Sequence, residues 1–119
     1  MNKGLRCMKP ELRENLEDAL RHGRDIQRFI SGMSLEQYSG DDKTRLAVER
    51  SFEIIGEALN RSYKLDPELI DTIPNYRQII SFRNILAHCY DTVEDKIVWG
   101  IIEESLPLLL NRLESEISR

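Results

Sequence analysis

Leu12, Leu16, Leu20, Gly23, Ile26 and Ile30 recur at steps of three and four residues, the spacing that lines one face of an α-helix and cannot serve a strand. Val48, Phe52, Ile55 and Leu59 repeat it further on. Strand-like alternation occurs nowhere in the chain. The apolar residues are 28 Leu and Ile against 3 Val, with only 6 Gly and 4 Pro, so helix-compatible side chains dominate and turn formers are few. A β-sandwich or barrel is excluded, and 119 residues make one domain with one core.

Start and stop signals divide that domain into helices. The first runs from about Pro10 to Ile30 and stops at Ser31-Gly32. Ser34-Leu35-Glu36-Gln37 has the form of a capping box opening a short helix, closed by Gly40. Asp41 or Asp42 caps a second long helix to about Tyr63. Gly56 within it costs about 1 kcal/mol relative to Ala, so its use is the close approach of another helix. Asp66-Pro67 starts a connector and Ile73-Pro74 marks a break and restart. A third main helix follows from about Asn75. Asp91 or Thr92 begins the last one, which Pro107 is expected to kink or interrupt before 108–117. The expected fold is all-α, an antiparallel four- to five-helix bundle of residues 1–119.

Composition limits what such a bundle can do. Lys and Arg number 17 against 21 Asp and Glu, a formal charge of -4, which excludes a basic nucleic-acid coat but leaves room for a phosphate cleft built from a few local cations. No apolar run reaches the ~20 residues of a membrane span, and the amino terminus carries no signal-peptide segment, so no membrane association and a cytoplasmic location are expected. Cys7 and Cys89 stand apart without ligand-spaced partners, so neither a disulfide framework nor a metal site is expected, and no cofactor.

Most polar residues fit solvated helix faces, but the segment 75–90 does not. Phe82, Ile85, Leu86 and Cys89 form the expected core stripe. Tyr76, Ile80, Arg83 and Ala87 lie on another side, with Asn84 and His88 as an adjoining seam at i, i+4. The last helix carries Ile97, Val98, Trp99, Ile101 and Ile102, more apolar circumference than one bundle face uses. These two surplus faces predict a homodimer formed through the motif helix and the last helix.

Arg83 and His88 are five positions apart, so in an unbroken helix they diverge by ~140° and ~7.5 Å along the axis. They meet only if the helix loosens near His88 or a second copy supplies the partner. Imidazole moves protons near neutrality, and guanidinium grips a phosphate and stabilises charge that develops on it. The pair suits phosphodiester cleavage by an adjacent ribose hydroxyl without a metal. A helix cap beside a surface ion partner is the plainer reading of the same two residues, and the residues alone leave both open.

The string Arg83-Asn84-Ile85-Leu86-Ala87-His88-Cys89-Tyr90 resembles the R-x-x-x-x-H-x-Y signature of HepT-like HEPN-domain toxins, with the customary Asn after the Arg. The segments 42–59, 73–80, Ile97-Val98-Trp99 and Leu106-Pro107 resemble that family in order and spacing. The resemblance implies a dimerising all-α bundle that works as a metal-independent endoribonuclease. It implies the toxin of a type VII-like toxin-antitoxin pair, acting on cellular RNA, with tRNA the expected target. Carried over by position, Arg83 and His88 are catalytic and Asn84 orients them. Tyr90 is the residue that accepts AMP from ATP through a cognate MntA-type nucleotidyltransferase antitoxin. Cys89 stands where many relatives have Gly, a departure that bears on the backbone beside His88; its place on the apolar stripe marks it as a buried, inert Cys.

A different class of function fits part of the same pattern: a non-catalytic nucleotide-binding or docking subunit of a nucleotidyltransferase complex, which the acidic total suits. Other residues are less informative. The basic group Arg21-His22-Gly23-Arg24 is expected at the surface, within reach of an RNA backbone. Glu53 and Glu57 are expected as helix-surface charges or as support for Arg83. Trp99 is expected to pack at the dimer interface.

Overall fold

In the computed structural model, which describes residues 8–88 and 93–119, the expected caps set the helices. Helix α1 spans Pro10–Phe29. The Ser34–Gln37 capping box opens α2, Leu35–Ser39: Gln37 N–H donates to Ser34 Oγ at 3.1 Å and Ser34 N–H to Gln37 Oε1 at 2.9 Å. Asp41 accepts from Thr44 N–H at the head of α3, Asp42–Leu65. Asp66 caps α4, Pro67–Asp71, by accepting from Leu69 N–H. Asn75 then adopts a left-handed φ of 67°, a turn of backbone that Asn tolerates better than most residues, and α5 begins after it as Tyr76–His88.

The carboxy-terminal rod differs from expectation at its start. Val93 and Glu94 are not helical, so helix begins at Asp95 and not at Asp91 or Thr92, which lie outside the described residues. Helix α6, Asp95–Gly100, passes into a π-helical turn, Ile101–Ser105, and then into α7, Leu106–Ile117. The regular α-helix is therefore interrupted just ahead of Pro107, as expected, by a π turn through which the rod continues. A proline ring collides with the carbonyl four residues back in a regular helix and removes one N–H; the wider π turn ends immediately before it, with Leu106 N–H donating to Ile101 O.

The long helices pack as an all-α bundle around α3, which lies against both α1 and α5, while α1 also packs on α7. Among the described residues there is no strand, and no helix is long and apolar enough to cross a membrane. Val48, Phe52, Ile55 and Leu59 are fully buried, and they meet Leu16, Ile26, Ile79, Leu106, Leu109 and Leu113 in one core. Close approach is made twice through glycine. A Cβ on Gly23 would overlap the Leu110 side chain, where α1 meets α7, and a Cβ on Gly56 would overlap Arg83, where α3 meets α5.

Two expectations about the core need correction. On α5 the buried stripe is Tyr76, Ile79, Phe82 and Leu86, while Ile85 is 44% exposed. Apolar residues occur around most of this helix, and the seat offered by α3 selects Ile79 over Ile85. The surplus apolar circumference of the last helix is also absent: Val98, Trp99, Ile101 and Ile102 are all buried within the chain. Trp99 packs on Tyr38 of α2 with ring centroids 5.3 Å apart, so it serves the bundle's own core. Of that group only Ile97, 51% exposed, faces outward.

Polar ties fix α7 and its neighbours. Arg112 Nε donates to Glu116 at 2.9 Å, and its terminal nitrogens donate to the Thr72 carbonyl at 3.0 Å and hydroxyl at 2.6 Å. Ser105, in the π turn, donates to the Gln78 side chain at 2.6 Å, which anchors the rod to α5.

Candidate functional site

The residues of interest are distributed around α5, whose ~100° advance per residue fixes their relation. Taking Arg83 as the origin, Tyr76 lies at ~20°, Ala87 at ~40° and Ile80 at ~60°, while Asn84, Arg77 and His88 fall together between ~100° and ~140°. Arg83 points toward α3. Its aliphatic stem rests on Gly56, where an added Cβ would stand 2.9 Å from the Arg83 Cγ and 3.2 Å from the Ile79 carbonyl. Its Nε is buried without a hydrogen-bond partner, and among the described residues no carboxylate pairs with it.

Of the two expectations for Glu53 and Glu57, helix-surface charges or support for Arg83, the first holds. Glu53 pairs with Arg50 at 3.5 Å and Glu57 with Arg61 at 3.0 Å, each within its own helix surface, and neither supports Arg83. The amino-terminal basic group is likewise committed: Arg21 pairs with Asp18, Arg24 with Glu114 and Arg28 with Asp25, and His22 stands 3.9 Å from Asp25. Arg83 thus differs from these surface cations in being held by packing while its charge is unmatched. Positive charge kept so is available to an anion.

Asn84 and His88 are both exposed on α5. Helix runs through positions 83 to 88 without a break, so one of the two routes by which Arg83 and His88 meet is closed: the backbone does not loosen before His88. Within one chain they flank the strip made by Ile80 and Ala87. Cys89 and Tyr90 lie outside the described residues.

Sequence reasoning passed over Arg77. It occupies the same stripe as Asn84 and His88, at i, i+7 and i+11, a relation that the spacing alone contains. It also missed Gln78, which ties α5 to the π turn. On the other side of the α3–α5 seam, Gly56, Asn60 and Tyr63 follow at steps of four and three, so they line α3 where it faces α5.

A second polar group lies around α2. The Tyr38 hydroxyl and Arg45 Nε are buried without hydrogen-bond partners, and Arg45 stands 3.7 Å from Asp95. Burial raises the Tyr38 hydroxyl above its ordinary range, and Glu49 and Asp95 reinforce the shift. Burial likewise raises Glu49, with Asp95 and Glu53 adding to it and Arg45 opposing.

An all-α bundle in which Arg83 meets no carboxylate among the described residues, with Asn84 and His88 exposed on the same helix, defines a helical protein with a polar seam along α5. Residues 19–116 match the family model described as ribonuclease HepT-like. The chain belongs to that family. It is 33% identical to "Probable ribonuclease HepT" of Thermococcus cleftensis, over 90% of this chain and 96% of that one. It is 31% identical to "Putative RNase MJ0127" of Methanocaldococcus jannaschii, over 92% of this chain and 89% of that one. No solved structure matches it.

Proposed function

We propose that this protein is an endoribonuclease that cuts RNA without a metal, the toxin of a type VII-like toxin-antitoxin pair with tRNA as its target. The observation that carries the reading is the state of Arg83: packed on Gly56, unmatched by any carboxylate among the described residues, and followed on the same helix by exposed Asn84 and His88. Membership of the ribonuclease HepT-like family supports it.

In the proposed reaction the His88 imidazole removes the proton from a ribose 2′-hydroxyl, or delivers one to the departing oxygen. The 2′-oxygen attacks the adjacent phosphorus and the bond to the 5′-oxygen breaks. That oxygen takes up a proton and leaves as a hydroxyl, and a cyclic phosphate remains. Arg83 stabilises the charge gathered on the pentacoordinate phosphate, and Asn84 positions the phosphate and the imidazole. Because α5 holds Arg83 and His88 ~140° apart, a homodimer that sets the α5 of each copy across one cleft supplies the complementary groups. Exposed Ile85, beside Asn84, and Ile97 of α6 support such a contact.

Control is proposed to come from a MntA-type nucleotidyltransferase that joins AMP from ATP to the Tyr90 hydroxyl and releases pyrophosphate. Added negative charge and bulk two residues from His88 would repel and block an RNA phosphate. The test is RNA cleavage by the purified chain in chelator. Cyclic-phosphate ends, lost in both Arg83→Ala and His88→Ala, are expected; unchanged cleavage by either variant overturns the assignment. Wild-type protein that cuts no RNA and arrests no growth when expressed alone is instead the non-catalytic docking subunit.

A further inference from the structure

One and a half to two turns before Arg83 on α5, a cleft of about 260 Å³ opens along the α3–α5 seam, lined by Asn60, Tyr63, Tyr76, Arg77 and Ile80. Tyr63 and Tyr76 are stacked, with centroids 5.8 Å apart and planes 14° from parallel. The Arg77 guanidinium lies 5.5 Å above the Tyr76 ring and donates to the Tyr76 hydroxyl at 2.9 Å. Asp71 accepts from that hydroxyl and sits 3.5 Å from Arg77, which fixes the guanidinium plane while leaving Arg77 largely in solvent. Asn60 is half-buried and makes no hydrogen bond with another described residue, so its amide is free at the rim.

We propose that this cleft is a docking subsite for one unpaired base of the RNA, next to the cutting site. The inference rests on the ribonuclease reading and narrows its substrate to strands that are single-stranded beside the cut. Four observations carry it. The cleft, about 260 Å³ and open to solvent, is large enough to seat one planar ring. Tyr63 presents half-buried aromatic surface to it, and unstacked bases settle on Tyr rings and Arg planes. Asn60 and Arg77 supply an amide for the base edge and a cation for the backbone. Finally, Tyr76, Ile80 and Arg77 occupy ~20° to ~120° around α5, within the sector bounded by Arg83 and His88, so a strand lying along that face reaches both places. From Arg77 to Arg83 the helix advances ~9 Å.

The probe is a fluorescein-labelled, unstructured oligoribonucleotide of ~12 nucleotides, titrated by anisotropy into the full-length His88→Ala chain and then crosslinked by ultraviolet light. Peptides of α3 carrying Tyr63 or of α5 carrying Tyr76 are expected to bear the adduct. Adding Tyr63→Leu is expected to weaken binding about tenfold and remove the adduct, the lower range for one base–aromatic stack. Asn60→Ala, a rim substitution that leaves the core intact, is expected to weaken binding severalfold and guards against a folding defect in the first variant. Unchanged affinity in both variants, or adducts confined to other peptides, overturns the subsite while the ribonuclease reading stands. So does a change of oligomeric state in light scattering without loss of affinity, which assigns the seam to a second copy. Wild-type protein that neither cuts nor binds RNA takes down both readings together.

Discussion

Gly56 and Arg83 occupy one packing site: the glycine of α3 leaves the space that the arginine stem of α5 fills, and a Cβ there would also come within 3.2 Å of the Ile79 carbonyl. A backbone carbonyl at the contact leaves little freedom to adjust, so helix separation is the route by which a larger residue would be admitted.

Gly56→Ala is therefore expected to cost about 1–2 kcal/mol of stability, overpacking exceeding the ~1 kcal/mol that Ala gains in helix propensity. It is expected to lower RNA cleavage about a hundredfold by displacing the guanidinium. Urea denaturation and cleavage rates on the same preparation check both; a variant equally active and more stable would show that the two helices separate freely.

Arg112→Ala should destabilise the bundle by about 2 kcal/mol, less than the 3–5 kcal/mol of a fully buried pair because Arg112 is partly exposed. Its partner Glu116 is only 4% exposed and keeps just the 3.4 Å contact with exposed Arg119. The Arg112→Ala, Glu116→Gln double variant is expected to regain part of the loss. A thermodynamic cycle by chemical denaturation measures the coupling.

Glu49 is raised by burial, next to Asp95 and Glu53. A carboxyl whose folded pKa lies above its unfolded value binds the proton better when folded, so its ionisation lowers stability as pH rises through the interval above the ordinary 4.5. Glu49→Gln is expected to be more stable than wild type at pH 7 and to flatten the stability profile in that interval. Melting curves between mildly acidic and neutral pH decide it, and a profile identical to wild type would count against the burial of this carboxyl.

Ile85→Glu tests the dimer. The side chain is 44% exposed beside Asn84, so the fold of one chain should tolerate the change within ~0.5 kcal/mol. A charge at the proposed contact is expected to halve the mass in light scattering and to abolish cleavage. A dimer of undiminished mass would move the contact away from α5.

Much of this architecture was legible because cap residues and apolar spacing agree locally. Asp41, Ser34 with Gln37, and Asp66-Pro67 mark helix starts that the hydrogen bonds bear out, and Val48 to Leu59 all reach the core. The stripe of α5 was less legible, since Ile79, Ile80 and Ile85 offer competing phases and only contact with α3 chooses among them. Trp99 looked like surplus surface because its cover, Tyr38, lies 61 positions earlier. Of the site, Arg83, Asn84 and His88 could be read as a string; that Gly56 seats Arg83, and that Glu53 and Glu57 turn to Arg50 and Arg61, are facts of the packed chain.

The π turn at Ile101–Ser105 gives the last rod two different screw phases. Ahead of it Trp99 meets Tyr38, and beyond it Leu110 meets Gly23. Deleting a single residue from that turn would restore one continuous winding and leave the halves ~100° out of step, so that seating either contact unseats the other. In this stretch the tally of residues between two anchors matters more than their identity.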